Sequence, residues 1–299
     1  MSTKLEDGYL SHGSADVSLS TVLGLPTTYV EILDTTEAFE EDAGEYKFAS
    51  TLVVYRDGKD IYHAVSKARG LVVSELSIDQ LTNKIRIPTT AYSPAFPPTY
   101  TQAPDPLPPN TYVKKPSLLS YDRIHKGALP NDIADNVLNE VQVCELLERN
   151  PHPNIARYLG CQVLDGRIIG ICFQRYEKTL MEAFNPQSLM KSKFISTRQG
   201  LGNYDQQLDA VEAGLGHLHS LGLVHNDLHP SNIVIDRDTW VIIDFGSCRY
   251  TGASLDGVGR TYEWYDEAVQ TSLPQNDLDA LREIRKWLDG APADLQFKE

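Results

Sequence analysis

His225-Asn-Asp-Leu-His-Pro-Ser-Asn232 is followed, twelve residues on, by Asp244-Phe-Gly246. Each segment is flanked by short apolar β-type runs, Ile233-Val-Ile235 and Trp240-Val-Ile-Ile243. The first segment follows an amphipathic stretch from Tyr204 to Leu221, with Leu208, Val211, Leu215, Leu218 and Leu221 on one helical face and Gly222 as its stop. Two carboxylates and an amide in this order suit phosphoryl transfer. One carboxylate accepts or orients the proton of the nucleophile. An amide oxygen and the second carboxylate hold Mg²⁺ against phosphates. Asp227 is the candidate for the first group, and Asn232 and Asp244 for the metal pair. Gly246 is expected to let the backbone turn away behind Asp244.

The rest of the sequence bounds the possibilities. The chain has 299 residues, 41% of them hydrophobic and 23% charged, enough for a substantial core and typical of a globular protein. Lys and Arg number 27 against 41 Asp and Glu, a formal charge of −14, which argues against a nucleic-acid-binding surface. No apolar run is long enough for a bilayer span, and 1–16 lacks the apolar centre of a secretory signal. No membrane association is expected. Cys144, Cys161, Cys172 and Cys248 lie in apolar surroundings without metal or disulfide spacing, so reduced buried thiols and an intracellular, cytoplasmic setting are expected.

Residues 1–21 are polar and expected to be mobile. Residues 22–87 are β-rich, with a hairpin at 51–65 around Asp57-Gly58. The acidic run Glu37, Glu40, Glu41, Asp42 and Glu45 reads as a solvated loop. Pro88, Pro94, Pro97, Pro98, Pro104, Pro106, Pro108 and Pro109 mark 88–110 as an extended linker, because proline fixes φ and lacks a donor. From 111 onward the pattern changes. A short strand spans Thr111 to Lys115. A helix runs from Asp132 to Arg149, capped by Asn131 or Asp132, and 157–163 and 167–173 pair around Asp165-Gly166. A last helix runs from Asp277 to Leu288.

His225 to Asn232 resembles the catalytic loop H-R-D-L-x-x-x-N of protein kinases, and Asp244-Phe-Gly246 resembles their D-F-G. The likeness covers about 110–288, and the whole is similar to small, divergent protein-kinase-like proteins of filamentous fungi. It implies an α+β, bilobal kinase-like fold in 111–299. The N-lobe, to about 176, would be a small antiparallel sheet with helix αC, and the C-lobe shortened and mainly helical. The hairpin at 51–65 is either the start of the N-lobe or part of an appended module. The resemblance also implies ATP and Mg²⁺ as cofactors, a protein substrate as partner, and further site residues. Lys114 is the strand lysine, with Lys115 its rival. Glu140 is its helix partner, with Glu145 the alternative. Phe173, Gln174, Arg175 and Tyr176 form the hinge at the adenine. His225, Phe245 and Gly246 are structural, and Asp277 braces the catalytic loop or caps its helix.

Four departures from the family pattern stand out. No G-x-G-x-x-G precedes Lys114. Asn226 replaces the arginine that in many kinases meets an activation-loop phosphate. His229 stands where Ser/Thr kinases carry lysine, and Asp-Leu-His is similar to aminoglycoside and choline kinases. There is no A-P-E, and the sequence stops soon after one αF-like helix, so the substrate-docking helices of a full C-lobe are not expected. The sequence therefore supports a Ser/Thr protein kinase first, with a pseudokinase scaffold or a small-molecule kinase as alternatives.

Overall fold

The computed structural model describes residues 30–42, 45–72, 76–127, 132–196, 203–290 and 295–297. The expectations for 1–21 and for Asn131 as a cap lie outside these residues. The described residues form two compact units, one from the chain up to 93 with 116–135, the other from 94–115 with 136 onward. Among them no helix is long and apolar enough to cross a membrane.

The first unit is built on a four-stranded antiparallel sheet in simple order: β1 (Val30–Asp42), β2 (Glu45–Asp57), β3 (Asp60–Ser66) and β4 (Thr82–Ile87). The expected hairpin forms at Asp57-Gly58, where Gly58 takes the positive φ of a tight turn, +60°. Val54, Ile61 and Ile87 pack with Leu118 and with Tyr121 of helix α1 (Tyr121–Lys126). Val53, Tyr55 and Ala64 pack with Leu81 in a second cluster. The acidic run is not a loop. Glu37, Glu40, Glu41 and Asp42 belong to β1, and Glu45 opens β2. Before Thr51, β2 pairs with β1 alone, so this end is a two-stranded ribbon, in which Glu37, Glu40, Glu41 and Glu45 are half-buried or exposed. Charged side chains stay solvated there while the backbone is paired. Glu37 also meets the Arg69 guanidinium, 3.2 Å away, and the Gly70 N–H.

The second unit opens with β5 (Thr111–Lys114). Helix α2 (Asp132–Arg149) buries Val137, Val141, Cys144 and Leu147. Strands β6 (Tyr158–Leu164) and β7 (Arg167–Gln174) complete an antiparallel sheet in the order β5-β7-β6. The hairpin at 51–65 belongs to the other, four-stranded sheet. The proline-rich stretch is not extended throughout: Thr89–Ala91 is a turn of 3₁₀ helix and 98–99 a turn, and from Pro94 on the chain lies along β6 and β7. Its backbone groups bond across: Ile168 N–H to Pro94 O, Phe96 N–H to Gly166 O, Cys161 N–H to Thr101 O and Ala103 N–H to Cys161 O, all at 2.8–3.0 Å. Glu145 accepts from the Thr101 N–H and hydroxyl, at 2.6 and 3.1 Å.

The remaining elements are mainly helical. Strand β8 (Lys178–Thr179) leads into α3 (Leu180–Phe184), closed at its start by a reciprocal Thr179–Glu182 cap. Helices α4 (Lys191–Ser196) and α5 (Asp205–Ser220) follow, then β9 (Leu223–Val224), β10 (Ile233–Asp236), β11 (Thr239–Ile242), β12 (Arg249–Tyr250) and α6 (Pro274–Asp289). Leu208, Val211, Leu215 and Leu218 of α5 pack in one core with Leu281, Ile284 and Trp287 of α6 and with Phe245. All four cysteines are free and buried.

Two tests follow from this packing. Gly160 has φ +112°, and a Cβ there would lie 2.6 Å from Ala103 N and 2.8 Å from Gln102 C, both backbone atoms of the proline-rich strap. Gly160→Ala should lower stability in urea by about 2 kcal/mol or more. Gly166→Ala, with φ +72° and open space, should cost about 1 kcal/mol. Equal costs would show that the strap does not press on β6. The second test concerns His63, which is fully buried, with Nε2 on Leu119 O at 2.9 Å and Nδ1 without a partner among the described residues. Burial lowers its pKa, although Asp122 stands 3.7 Å away. The unfolded imidazole takes up its proton near pH 6.5, so stability should fall as pH drops from about 7.5 to about 5.5. His63→Gln should flatten part of that slope. An unchanged slope would show that His63 is not held neutral.

Candidate active site

The site gathers around one lysine. Alternation along β5 puts Lys114 on the face shared with Ile171 and Phe173, its cross-strand neighbours and theirs. Its Nζ lies 2.7 and 2.8 Å from the two carboxylate oxygens of Glu140 on α2, and 2.8 Å from Oδ1 of Asp244, just after β11. Lys115 falls on the opposite face and is exposed. Glu145 is engaged by the strap instead. Burial opposes charge on Lys114, but Glu140 and Asp244 outweigh it and raise its pKa. Burial pushes the Asp244 carboxyl up. The Lys114 charge and hydrogen bond, with the Gly246 N–H, more than reverse this and hold it down to about 2. Burial keeps the Glu140 carboxyl above its usual range, against the pull of Lys114.

The loop 225–232 is fixed from several sides. Asp277 of α6, fully buried, accepts from the His225 N–H at 2.9 Å and the Asn226 N–H at 2.8 Å. It is not the helix cap, since that position belongs to Leu273. The backbone turn is left-handed at Asn226, φ +64°, a conformation that asparagine tolerates. The Asn226 amide donates to Val224 O, Ser247 O and the Ser272 hydroxyl. His225 Nε2 bonds Ile243 O at 3.0 Å, its Nδ1 accepts from the Asp227 N–H, and its ring meets Phe245 edge-on. In the segment 244–246 the left-handed residue is Asp244, φ +62°, and not Gly246. Glycine at 246 answers to space: a Cβ would come 3.3 Å from Asp244 Oδ1 and 3.6 Å from Glu140 Oε2.

Asp227 Oδ1 accepts the Thr261 N–H at 2.7 Å, and Oδ2 the Asn232 amide at 3.4 Å. The same Asn232 amide donates to Asp227 O at 2.9 Å, which turns its carboxamide oxygen toward other ligands. The Ile243 N–H bonds Asn232 O at 3.0 Å, tying the loop to the residue before Asp244. His229 Nδ1 accepts from the Ser231 N–H, so the ring proton sits on Nε2, 3.8 Å from Asp227 Oδ2. Burial lowers the His229 pKa, with Asp227 as a smaller opposing influence, so its imidazole is neutral at physiological pH.

The segment 173–176 closes the strand end. Phe173 is buried, the Gln174 N–H is taken by Arg157 O, and the Arg175 N–H by Asn110 O at 2.8 Å. The Tyr176 hydroxyl accepts from the Arg157 N–H. Of this segment, the Tyr176 N–H is the backbone donor without a partner among the described residues.

Three contributors were not singled out from the sequence as site residues. Asn226 was legible as a departure, and its left-handed turn is what an asparagine there signals. Thr261 acts through its backbone, which no side-chain motif reveals. Lys191 Nζ, 1% exposed, donates to Glu283 Oε1, Glu263 O and Phe297 O at 2.6–2.7 Å and so anchors the segment that holds Thr261. In sequence it is one lysine of Lys-Ser-Lys, indistinguishable from a solvated charge.

Asp277→Ala should leave the buried N–H groups of His225 and Asn226 without an acceptor and lower stability by about 3 kcal/mol in urea unfolding. A loss under about 1 kcal/mol would show that another acceptor replaces it.

The geometry agrees with comparisons to known proteins. The protein kinase domain model matches residues 119–272, just over half of the chain. The mitogen-activated protein kinase kinase kinase bck1 of Aspergillus fumigatus is 32% identical over 122 residues, 37% of this chain and 6% of that protein. The serine/threonine-protein kinase/endoribonuclease IRE1 of Hypocrea jecorina is 30% identical over 109 residues, 35% of this chain and 8% of that protein. The serine/threonine-protein kinase PSK1 of Saccharomyces cerevisiae is 30% identical over 115 residues, 38% of this chain and 8% of that protein. The chain thus spans a small fraction of the length of these relatives. With a matched domain that contains both the Asp227 loop and Asp244, and a mixed α+β fold that brings them together, the chain belongs to the protein kinase domain family.

Proposed function

We propose that this chain transfers the γ-phosphoryl group of ATP to a serine or threonine hydroxyl of a protein, with Mg²⁺. The observation that carries the reading is the convergence of Lys114, Glu140 and Asp244 on one ion-paired centre, with Asn232 tied to the residue before Asp244. Asp227 takes the proton as the acceptor O–H bond breaks. The acceptor oxygen bonds to the γ-phosphorus, the bond from that phosphorus to the β,γ-bridging oxygen breaks, and ADP leaves. The Thr261 N–H and the Asn232 amide fix the direction of the Asp227 carboxylate. Lys114, kept charged by its two carboxylates, meets a phosphate oxygen. His229 is a neutral Nε2–H donor beside Asp227 and a weaker partner for phosphate than a lysine.

The metal-binding pair fits its ion by donor type. Asp244 presents a carboxylate held ionised and Asn232 a carboxamide oxygen. Mg²⁺ favours such hard oxygens, one or two from protein and the rest from phosphates and water. When bound, it would neutralise charge on the β- and γ-phosphates. An intracellular setting fits the need for ATP and the four free, buried cysteines.

A scaffold reading draws on one observation. Among the described residues, no strand pairs with the outer edge of β5, where a phosphate-covering hairpin would lie. A small-molecule acceptor is favoured by Asp227-Leu-His229. Radiolabelled ATP with Mg²⁺, offered a peptide panel, amino alcohols and an aminoglycoside, separates the three. Peptide phosphorylation that falls at least about 100-fold in Asp227→Asn, with ATP-analogue affinity retained, is the expected result. Transfer only to the small alcohols supports the second acceptor class. Binding without transfer to any acceptor supports the scaffold.

A further inference from the structure

We infer that Glu145 and Thr101 are positioning residues, whose contact holds helix α2 at the rotation in which Glu140 meets Lys114. The inference rests on the proposed role of Lys114 toward phosphate and adds to it what sets the partner of that lysine in place.

Helix α2 is packed through Val137, Val141, Cys144 and Leu147. Apolar contacts are non-directional, so this packing constrains the roll of the helix only weakly. Its charged contacts are directional. Glu140 meets the Lys114 ammonium at 2.7 and 2.8 Å. Glu145 comes five residues later, about 140° around the helix and about 7.5 Å along it. Two ties on different faces fix both roll and slide, which either tie alone would permit. Glu145 is 5% exposed, and both its oxygens are taken. Oε1 accepts from the Thr101 N–H at 2.6 Å and the Tyr158 hydroxyl at 3.1 Å, and Oε2 from the Thr101 hydroxyl at 3.1 Å. Its nearest cation is Arg149, 3.8 Å away and largely exposed.

Thr101 is itself fixed to the sheet that carries Lys114. Its carbonyl accepts the Cys161 N–H at 2.8 Å, and the Ala103 N–H donates to Cys161 O at 2.8 Å, which seats the strap on β6. Strand β6 pairs with β7, and β7 with β5. The contacts close a ring within the second unit: from Lys114 across the sheet to Thr101, through Glu145 into α2, and back through Glu140 to Lys114. Thr101 and Lys114 also lie on one continuous stretch of chain, 94–115. One segment therefore carries the lysine and, through Glu145, sets the helix that partners it. The strap does for α2 what a second strand or helix would otherwise have to do, and it does so with one carboxylate and one threonine.

The test acetylates the full chain with acetic anhydride at fixed pH and reads Lys114 against its exposed neighbour Lys115 by mass spectrometry, beside peptide phosphorylation. Circular dichroism and thermal midpoints establish that each variant is folded. Acetylation goes through the neutral amine. Burial opposes charge on Lys114 and its two carboxylates favour it, so losing Glu140 speeds labelling. Glu145→Ala should speed Lys114 labelling about tenfold with Lys115 unchanged. It should lower kcat by about 10- to 100-fold and leave the peptide KM unchanged. Glu140→Gln should speed labelling likewise, and the double variant should match Glu140→Gln, because Glu145 acts through Glu140. Thr101→Ser keeps both donors and should match the unsubstituted protein. If Glu145→Ala does not fold, Thr101→Val, which removes one of the three bonds, should show the same change at about threefold. Unchanged labelling would overturn the inference. So would a double variant that labels faster than Glu140→Gln, which marks general loosening, or faster labelling with kcat unchanged. If the unsubstituted protein phosphorylates no peptide, the phosphoryl-transfer reading falls, while the labelling still decides whether Glu145 places Glu140.

Discussion

The ammonium of Lys114 holds two carboxylates from separate parts of the chain, and the second unit is arranged to make that contact possible. Glu140 is nearly buried, and a carboxylate so placed is tolerable only with a cation against it. Removing one member of such a pair leaves a charge without compensation, at a cost of about 3–5 kcal/mol. The register of β5 is therefore tightly constrained, since a slip of one residue would turn Lys114 away and bring Lys115 inward. The opposite face pins the same register. Gly170 leaves room for Val113, whose Cγ1 stands 2.5 Å from where a Cβ at 170 would be.

From this centre the remaining constraints run through the backbone as much as through side chains. Asp277 ties two consecutive N–H groups of the loop, the Thr261 N–H sets the Asp227 carboxylate, and the Ile243 N–H joins Asn232 to the strand before Asp244. Lys191, buried and bonded to two carbonyls and a carboxylate, fastens the segment carrying Thr261 to α6 and to Phe297. A lysine in that setting contributes geometry more than stability, because its desolvation offsets most of the Coulomb gain.

Helices α2 and α5 were legible because an apolar stripe at 3.6-residue spacing survives whatever the helix packs on. The hairpins at Asp57-Gly58 and Asp165-Gly166 were legible because the turn chemistry is local. The acidic ribbon was misread for the converse reason. Charge density reports solvation, and a two-stranded ribbon is as well solvated as a loop, so composition alone could not distinguish them. Proline content indicated extended backbone for 88–110, but Thr89–Ala91 forms a turn of 3₁₀ helix and 98–99 a turn, because a fixed φ of about −65° suits those conformations as well. It gave no sign that the carbonyls and remaining N–H groups would bond to β6 and β7, since those partners are distant in sequence, as Pro94 is from Ile168 and Ala103 from Cys161.

By itself the sequence identified the family. His225 to Asn232 and Asp244 to Gly246 have residue types and spacing that few other sites require, and they sit inside the matched domain. Lys114 lies before the matched residues, where nothing local separates it from Lys115 or marks Glu140 over Glu145. Only the tertiary structure decided those pairs, by placing one lysine within 2.8 Å of two carboxylates and the rival glutamate under the strap. The physical reason is range. Spacing and turn chemistry act over a few residues, whereas an ion pair across 130 residues exists only once strand, helix and loop have been packed together.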